Sequence, residues 1–203
     1  MNESIHGERT ASELQDRVTE LIEQQMAISE VLRAIANSPH DLQPIFDAIL
    51  DGATRLCRAD MCTLRISEES GLRRVAIRGN PLLVSQLGSS LPVLAEKGSF
   101  LSRLATSRLP THIPDLKAFE GDRSDDLGSR TALVVPLLKD NEILGIITLA
   151  RKQVQPFTDQ EISLCRDFAA QATIALESTR RERQYREAQM VLRTRTASRR
   201  WAS

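Results

Sequence analysis

The sequence lacks an excess of charge, a disulfide framework and any long apolar run. Lys plus Arg and Asp plus Glu both number 27, so no overall field attracts nucleic acid or a membrane surface. Three cysteines, Cys57, Cys62 and Cys165, are an odd number and predict no set of disulfides. Because the basic and acidic residues balance, we expect no nucleic-acid partner and no membrane partner.

Targeting and membrane-spanning segments are also missing from the sequence. No apolar run approaches the roughly 20 residues that cross a bilayer, and the N-terminus lacks the apolar core of a signal peptide. With 41% hydrophobic and 27% charged residues among 203, the chain can bury one core and carry some additional helix. These features predict a cytoplasmic protein with a single compact domain.

Two β-hairpins are visible in the pattern of apolar residues. The apolar runs 132–138 and 143–150 flank Lys-Asp-Asn-Glu, which predicts an antiparallel pair closed by a tight turn. The runs 61–66 and 72–77 flank a second turn around Gly71. A short third strand is expected within 109–115.

Helix signals follow and precede these strands. Thr158 and Glu161 have capping-box spacing, and Phe157 and Ile162 are placed to staple the first turn. Asp41 is expected to cap a helix that extends to about Cys57. Two shorter helices are expected at 81–87 and 99–107.

The first and last helices carry apolar residues at alternating spacings of four and three, the pattern of a coiled-coil seam. The seam predicts that both helices pair with a second copy of the chain. Its candidate residues in the first helix are Leu14, Val18, Leu21, Gln25, Ile28, Leu32 and Ile35. The candidates in the last helix are Ala169, Ala172 and Leu176.

Several segments resemble GAF modules of bacterial multi-sensor histidine kinases. They are VPLLKDNEILGIITL, PFTDQEI, FAAQATIALE and the helix-break-helix entry SEVLRAIANSPHDLQPIFDAILDGATRLCRAD. The resemblance implies an α+β, GAF-like (PAS-related) fold with a central antiparallel sheet of about six strands flanked by helices. It also implies coiled-coil-type signalling helices at both ends, and a variable loop at 116–129 that covers a ligand pocket.

These signals divide the chain into five segments. We expect a disordered N-terminus, a signalling helix, a GAF domain whose last helix begins at 158, a helical extension and a disordered basic tail. The corresponding ranges are 1–12, 13–36, 37–178, 179–192 and 193–203.

The basic tail resembles nothing in the family as protein. Resembling kinases continue into Ala-His-Ala-Asn-Arg-Val-Ala-Thr-Met-Gly-Gln-Leu. One DNA sequence that encodes this peptide, when its first base is deleted and it is read in the shifted frame, encodes residues 193–203 followed by a stop codon. This predicts a histidine-kinase fragment that is truncated before the kinase core by a frameshift.

The candidate ligand-pocket residues are polar side chains near the expected cavity. His112 could ligate haem iron or bond an acidic ligand, or lie at an exposed strand edge. Arg78, Asn80 and Arg130 could face an anionic ligand or belong to the surface. Asp115 could act as an acid catalyst or accept a turn or cap hydrogen bond. No signature of a catalytic site, metal site or particular cofactor is present.

The sequence therefore predicts a non-enzymatic sensory module that forms a homodimer through its terminal helices. It could bind an unknown small molecule and form mixed dimers with an intact sensor kinase. Two alternatives stay open. The three cysteines could serve a GAF-type free methionine sulfoxide reductase, and the tail from Arg193 to Trp201 could contact nucleic acid.

Overall fold

The computed structural model describes residues 2–37, 41–79, 81, 84, 100–119 and 128–200. Within these ranges a five-stranded sheet is surrounded by helices. The elements in chain order are α1 (Asn2–Asn37), α2 (Gln43–Leu56), β1 (Met61–Glu68), β2 (Gly71–Gly79), α3 (Phe100–Ser107), β3 (Thr111–Ile113), β4 (Thr131–Lys139), β5 (Glu142–Arg151) and α4 (Asp159–Arg200). A short 3₁₀ turn, Leu116–Ala118, follows β3.

The sheet has the strand order β2-β1-β5-β4-β3, and every neighbouring pair is antiparallel. Both predicted hairpins are confirmed. Asp140 and Asn141 close the β4–β5 hairpin with φ values of 43° and 76°, the left-handed geometry of a two-residue turn that matches strand twist. The α+β expectation is confirmed, with five strands in the described residues where the sequence suggested about six.

One face of the sheet is covered by α2, α4 and the second half of α1, and we call it the helical face. Its core contains Leu64 of β1, Leu133 and Val135 of β4, Phe168 of α4 and Val31 of α1. Because side chains alternate along a strand, Val134 and Ile146 point the other way, where they pack on Leu104 of α3. We call that side the second face.

Local signals position the helices as expected. The Asp41 carboxylate accepts the Gln43 N–H at 3.0 Å at the start of α2. At the start of α4, Glu161 accepts the Thr158 N–H at 2.8 Å and Thr158 Oγ1 accepts the Glu161 N–H at 3.2 Å. This reciprocal pair is the predicted capping box.

The terminal helices are longer than the sequence suggested. Helix α1 begins at Asn2 and α4 extends to Arg200, so helix covers most of 1–12 and 193–203, where disorder was expected. Between Pro156 and the C-terminus the sequence has no Pro and no Gly, so nothing in it stops a helix. Of the predicted helix 81–87 the structure describes residues 81 and 84, both helical, and most of loop 116–129 lies outside the described residues.

Candidate functional site

Arg78 contacts α2 on the helical face and does not point toward the second face. Its Nε donates to Asp51 Oδ1 at 2.7 Å, and its Nη2 lies 3.0 Å from Asp47 Oδ2. Two carboxylates therefore already neutralise this guanidinium, which fastens β2 to α2. Asn80, the neighbouring candidate, lies outside the described residues.

Asp115 and Arg130 bind one another in the connection between β3 and β4. Arg130 donates through Nη2 and Nε to the two Asp115 oxygens at 2.9 and 3.1 Å. Asp115 also accepts the Lys117 N–H at 3.1 Å, so it caps the 3₁₀ turn, one of the roles that the sequence suggested. Hydrogen bonding from Arg130 holds the Asp115 pKa below its ordinary value.

His112 lies on the helical face, because it is paired in register with Leu133. Its Nε2 accepts the Phe157 N–H at 3.1 Å, and its ring meets the Phe157 ring edge-on with centroids 5.9 Å apart. Partial burial, and secondarily the charge of Arg151, lowers the pKa of His112. The neutral imidazole thus ties β3 to the loop before α4.

We expect this bond to make stability depend on pH. Because the folded state holds His112 at a pKa below its ordinary value of 6.5, the unfolded chain binds more protons near that pH, so stability falls as pH falls through 6.5 and below. Urea unfolding between neutral and mildly acidic pH should therefore show a smaller decrease for His112→Gln than for the unchanged chain. An equal pH dependence in both proteins would contradict this role.

The second face carries polar side chains that the sequence analysis did not select. Thr63 is paired with Thr148 and Arg65 with Arg74 across neighbouring strands, and directly paired residues share a face. Arg65 Nη1 donates to Thr63 Oγ1 at 2.8 Å. A signal was present in β1, since Thr63 and Arg65 alternate with the core residues Cys62 and Leu64.

Arg151 joins the end of the sheet to the start of α4. The residue is 3% exposed, and its guanidinium donates to Cys57 O at 2.6 Å, Glu161 Oε1 at 2.5 Å and Gln155 O at 2.9 Å. It also stacks over Phe157 at 4.0 Å. We call this arrangement the Arg151 clamp. It holds α2, β5 and α4 at one point.

The three cysteines are buried in the helical-face core and are unpaired thiols. Desolvation by burial raises the pKa of Cys57 to about 12 and raises those of Cys62 and Cys165 well above the ordinary value. A thiolate, the nucleophilic form, is therefore strongly disfavoured at all three positions.

The predicted dimer seam is divided between surface and core. On α1, Leu14, Val18, Leu21 and Leu32 are each at least half exposed, while the side chain of Ile35 lies outside the described part. Gln25 is exposed and Ile28 is partly exposed. On α4, however, Ala169 and Ala172 are 3% and 0% exposed and Leu176 packs against the same core.

The sequence placed Ala169, Ala172 and Leu176 of α4 at a dimer surface, but these residues pack within their own domain. Ala169 and Ala172 contact their own domain because the single chain turns this side of α4 toward α2 and the sheet. The large apolar side chain that α4 exposes near them is Ile174, at 56%.

Among the described residues, no group of three or more His, Cys, Asp or Glu side chains is arranged to hold a metal ion. None of the helices that the structure describes combines the length and apolar character that a bilayer crossing needs.

The GAF domain family model matches residues 41–176. This is more than half of the chain, and the chain therefore belongs to the GAF domain family, whose members are typically regulatory and signalling modules. No curated protein matches the chain.

Solved structures share the fold at low sequence identity. The GAF domain of an Acinetobacter phosphoenolpyruvate-protein phosphotransferase is 16% identical, with a TM-score of 0.65 over 82% of this chain and 98% of that one. A domain of a putative two-component sensor histidine kinase protein from Sinorhizobium meliloti is 18% identical, with a TM-score of 0.56 over 72% and 97%. The fRMsr of Staphylococcus aureus, in its reduced form, is 16% identical, with a TM-score of 0.59 over 77% and 94%.

Proposed function

We propose that this chain is a non-enzymatic GAF sensory module of the sensor-histidine-kinase type. In this proposal its terminal helices pair with a second copy, or with an intact sensor kinase in a mixed dimer, and the second face of the sheet receives a small ligand. The observation that carries the proposal is the apolar stripe on α1, where Leu14, Val18, Leu21 and Leu32 are 51–65% exposed.

The spacing of this stripe favours another helix of the same sequence as its partner. The residues alternate in steps of four and three, which keeps one seam facing a supercoiled neighbour. Gln25 is the polar seam residue among the described side chains. In a parallel, in-register pair the two Gln25 amides face each other and can satisfy one another's hydrogen bonds.

The Arg151 clamp supplies a mechanical connection between the sheet and the paired helices. It binds Glu161 in the first turn of α4 and Cys57 at the end of α2. A shift of β5 that accompanies ligand binding would therefore move the base of α4 with it. Movement of paired helices is an established way to transmit such a change.

We expect replacement of two seam residues by glutamate to dissociate the dimer. Each large apolar side chain stabilises an interface by about 1.5–3 kcal/mol when it is fully buried. Val18→Glu/Leu21→Glu should therefore weaken self-association by at least about a hundredfold. Sedimentation velocity over a range of protein concentrations measures this change.

The control is Gln15→Glu/Thr19→Glu, which adds the same charge to exposed positions that flank the stripe and do not belong to its seam. This variant should remain dimeric. A monomeric unchanged chain at every concentration would remove the basis of the proposal, and equal dimerisation of both double variants would place the interface elsewhere.

The reductase alternative has little support from the site. Its chemistry requires a reactive thiolate, whereas burial raises the pKa of Cys57, Cys62 and Cys165. The likeness to fRMsr concerns the fold. The nucleic-acid alternative rests on arginine side chains in residues 193–200 that lie outside the described part, and no described feature favours it.

A further inference from the structure

The second face contains a partly buried guanidinium, that of Arg65, with no described carboxylate beside it. Arg65 bonds Thr63 Oγ1, an uncharged partner, at 2.8 Å. Burial, reinforced by the neighbouring charge of Arg74, lowers the pKa of Arg65 to about 10. By comparison, Arg73, Arg78, Arg130 and Arg151 each have a described carboxylate within 3.1 Å.

A β-bulge brings the second cation to the same face. The register between β1 and β2 changes at Leu64 and Arg65, because Leu64 is paired with Ala76 and Arg65 with Arg74, which leaves Val75 as the extra residue. In continuous register Arg74 would be opposite Ile66, whose side chain packs on the helical face. The bulge thus pairs Arg74 with Arg65 across the two strands.

Two hydroxyl groups border this pair of arginines. Thr63 is 1% exposed and is paired in register with Thr148. Thr148 Oγ1 is buried and has no hydrogen-bond partner among the residues that the structure describes, although buried polar atoms normally have one. The two threonines and Arg65 therefore present unused hydrogen-bonding capacity beside a positive charge.

We propose that the second face binds a small molecule through a carboxylate or phosphate group, held by Arg65 with the hydroxyl groups of Thr63 and Thr148. The inference rests on the proposed ligand-sensing function and assigns the chemical class of its ligand. The planar guanidinium donates in parallel to two oxygens of an oxyanion, and the threonines donate to the oxygens that remain. The apolar side chains Val134, Ile146 and Leu104 border the rest of this face and suit the carbon skeleton of such a ligand.

The test measures thermal unfolding of the full chain with inorganic phosphate, with succinate, and with sodium chloride at the same ionic strength. Phosphate or succinate should raise the unfolding midpoint in a saturable way, whereas chloride should not. A shift with phosphate alone identifies a phosphate-bearing ligand, and a shift with succinate alone identifies a carboxylate-bearing one. The inference fails if neither anion exceeds chloride.

Arg65→Met assigns the effect to this residue. Because methionine removes a desolvated charge that faces a like charge, the ligand-free variant should unfold at the same temperature as the unchanged chain or at a higher one. Its affinity for the anion should fall about tenfold or more. Arg73→Met is the matched control, since Arg73 is the neighbouring arginine of β2 and pairs with Glu68 at 2.6 Å, and it should keep the full anion shift.

Thr148→Val provides a second variant that preserves side-chain shape. It should fold like the unchanged chain and show a smaller increase of the unfolding midpoint with the anion. If the anion raises the midpoint of both Thr148→Val and Arg65→Met as much as that of the unchanged chain, the assignment is wrong. Sedimentation velocity measures the oligomeric state of the chain and so tests the proposed function independently of anion binding. A chain that is dimeric but indifferent to both anions refutes the ligand class alone, whereas a monomeric chain refutes the sensory dimer.

Discussion

Arg151→Ala is expected to lower the free energy of unfolding by about 3–5 kcal/mol, the cost of removing one partner from a buried ion pair. The guanidinium is 3% exposed and bonds Glu161, Cys57 O and Gln155 O. Alanine leaves a largely buried carboxylate and two carbonyl oxygens without that donor. Urea unfolding at fixed protein concentration measures the change as a shift of midpoint at constant slope.

A comparison with an exposed ion pair shows whether burial causes the effect. Arg73→Ala removes the 2.6 Å contact with Glu68 near the surface and should cost no more than about 1 kcal/mol. The double variant Arg151→Met/Glu161→Gln should recover part of the loss, because it leaves no unpaired carboxylate. If Arg151→Ala costs as little as Arg73→Ala, the clamp does not hold α4 to the sheet.

Phe168→Ala should destabilise the domain by about 3–5 kcal/mol through the cavity that it leaves. Phe168 is 1% exposed and lies in the core between α4, α2 and α1. A Cβ atom at Gly52 would be 2.8 Å from Phe168 Cζ and 3.4 Å from Ala27 Cβ. Glycine at this position therefore allows α2 to approach the ring closely, and the unfolding free energy measured in urea should report the lost packing.

A double-mutant cycle tests this packing directly. Gly52→Ala alone should cost about 1–3 kcal/mol, because the added methyl group overpacks the ring. Gly52→Ala/Phe168→Leu should be more stable than the sum of the two single changes implies, since leucine lacks the Cζ atom. Tyr185→Ala, at a 65% exposed position of α4, should change stability by less than about 0.5 kcal/mol. Strict additivity in the cycle would mean that Gly52 and Phe168 do not interact.

The elements of the fold were predictable wherever their signals are local. Alternating apolar residues mark both hairpins, Asp140-Asn141 supplies the left-handed turn, and Thr158 with Glu161 marks the first turn of α4. Each of these signals acts over a few residues. The sequence order of such elements, together with the GAF resemblance, was sufficient to predict the antiparallel sheet with helices packed against it.

The candidate site was not predictable in the same way, because the direction of a polar side chain depends on distant partners. Arg78 looks like a pocket residue until Asp47 and Asp51 of α2 are seen beside it. His112 depends on Phe157, and Asp115 on Arg130. In each case the partner comes from another element of the fold, which sequence spacing alone does not reveal.

For Arg65 and Arg74 the strand was predictable from the sequence, but the face of the sheet was not. Their positions within strands were predicted, but their common face depends on the bulge at Val75. A one-residue change of register reverses the face of every later side chain in a strand. Without knowledge of that bulge, Arg74 would have been assigned to the same side as Val31 and Phe168.

Helix α4 is 42 residues long, and the Arg151 clamp fixes only its first turn to the sheet. At 1.5 Å per residue such a helix is about 60 Å long, so each degree of tilt at its base displaces the far end by about 1 Å. A rearrangement of the sheet too small to disturb its hydrogen bonds would therefore become a displacement large enough to change which residues of two neighbouring helices touch.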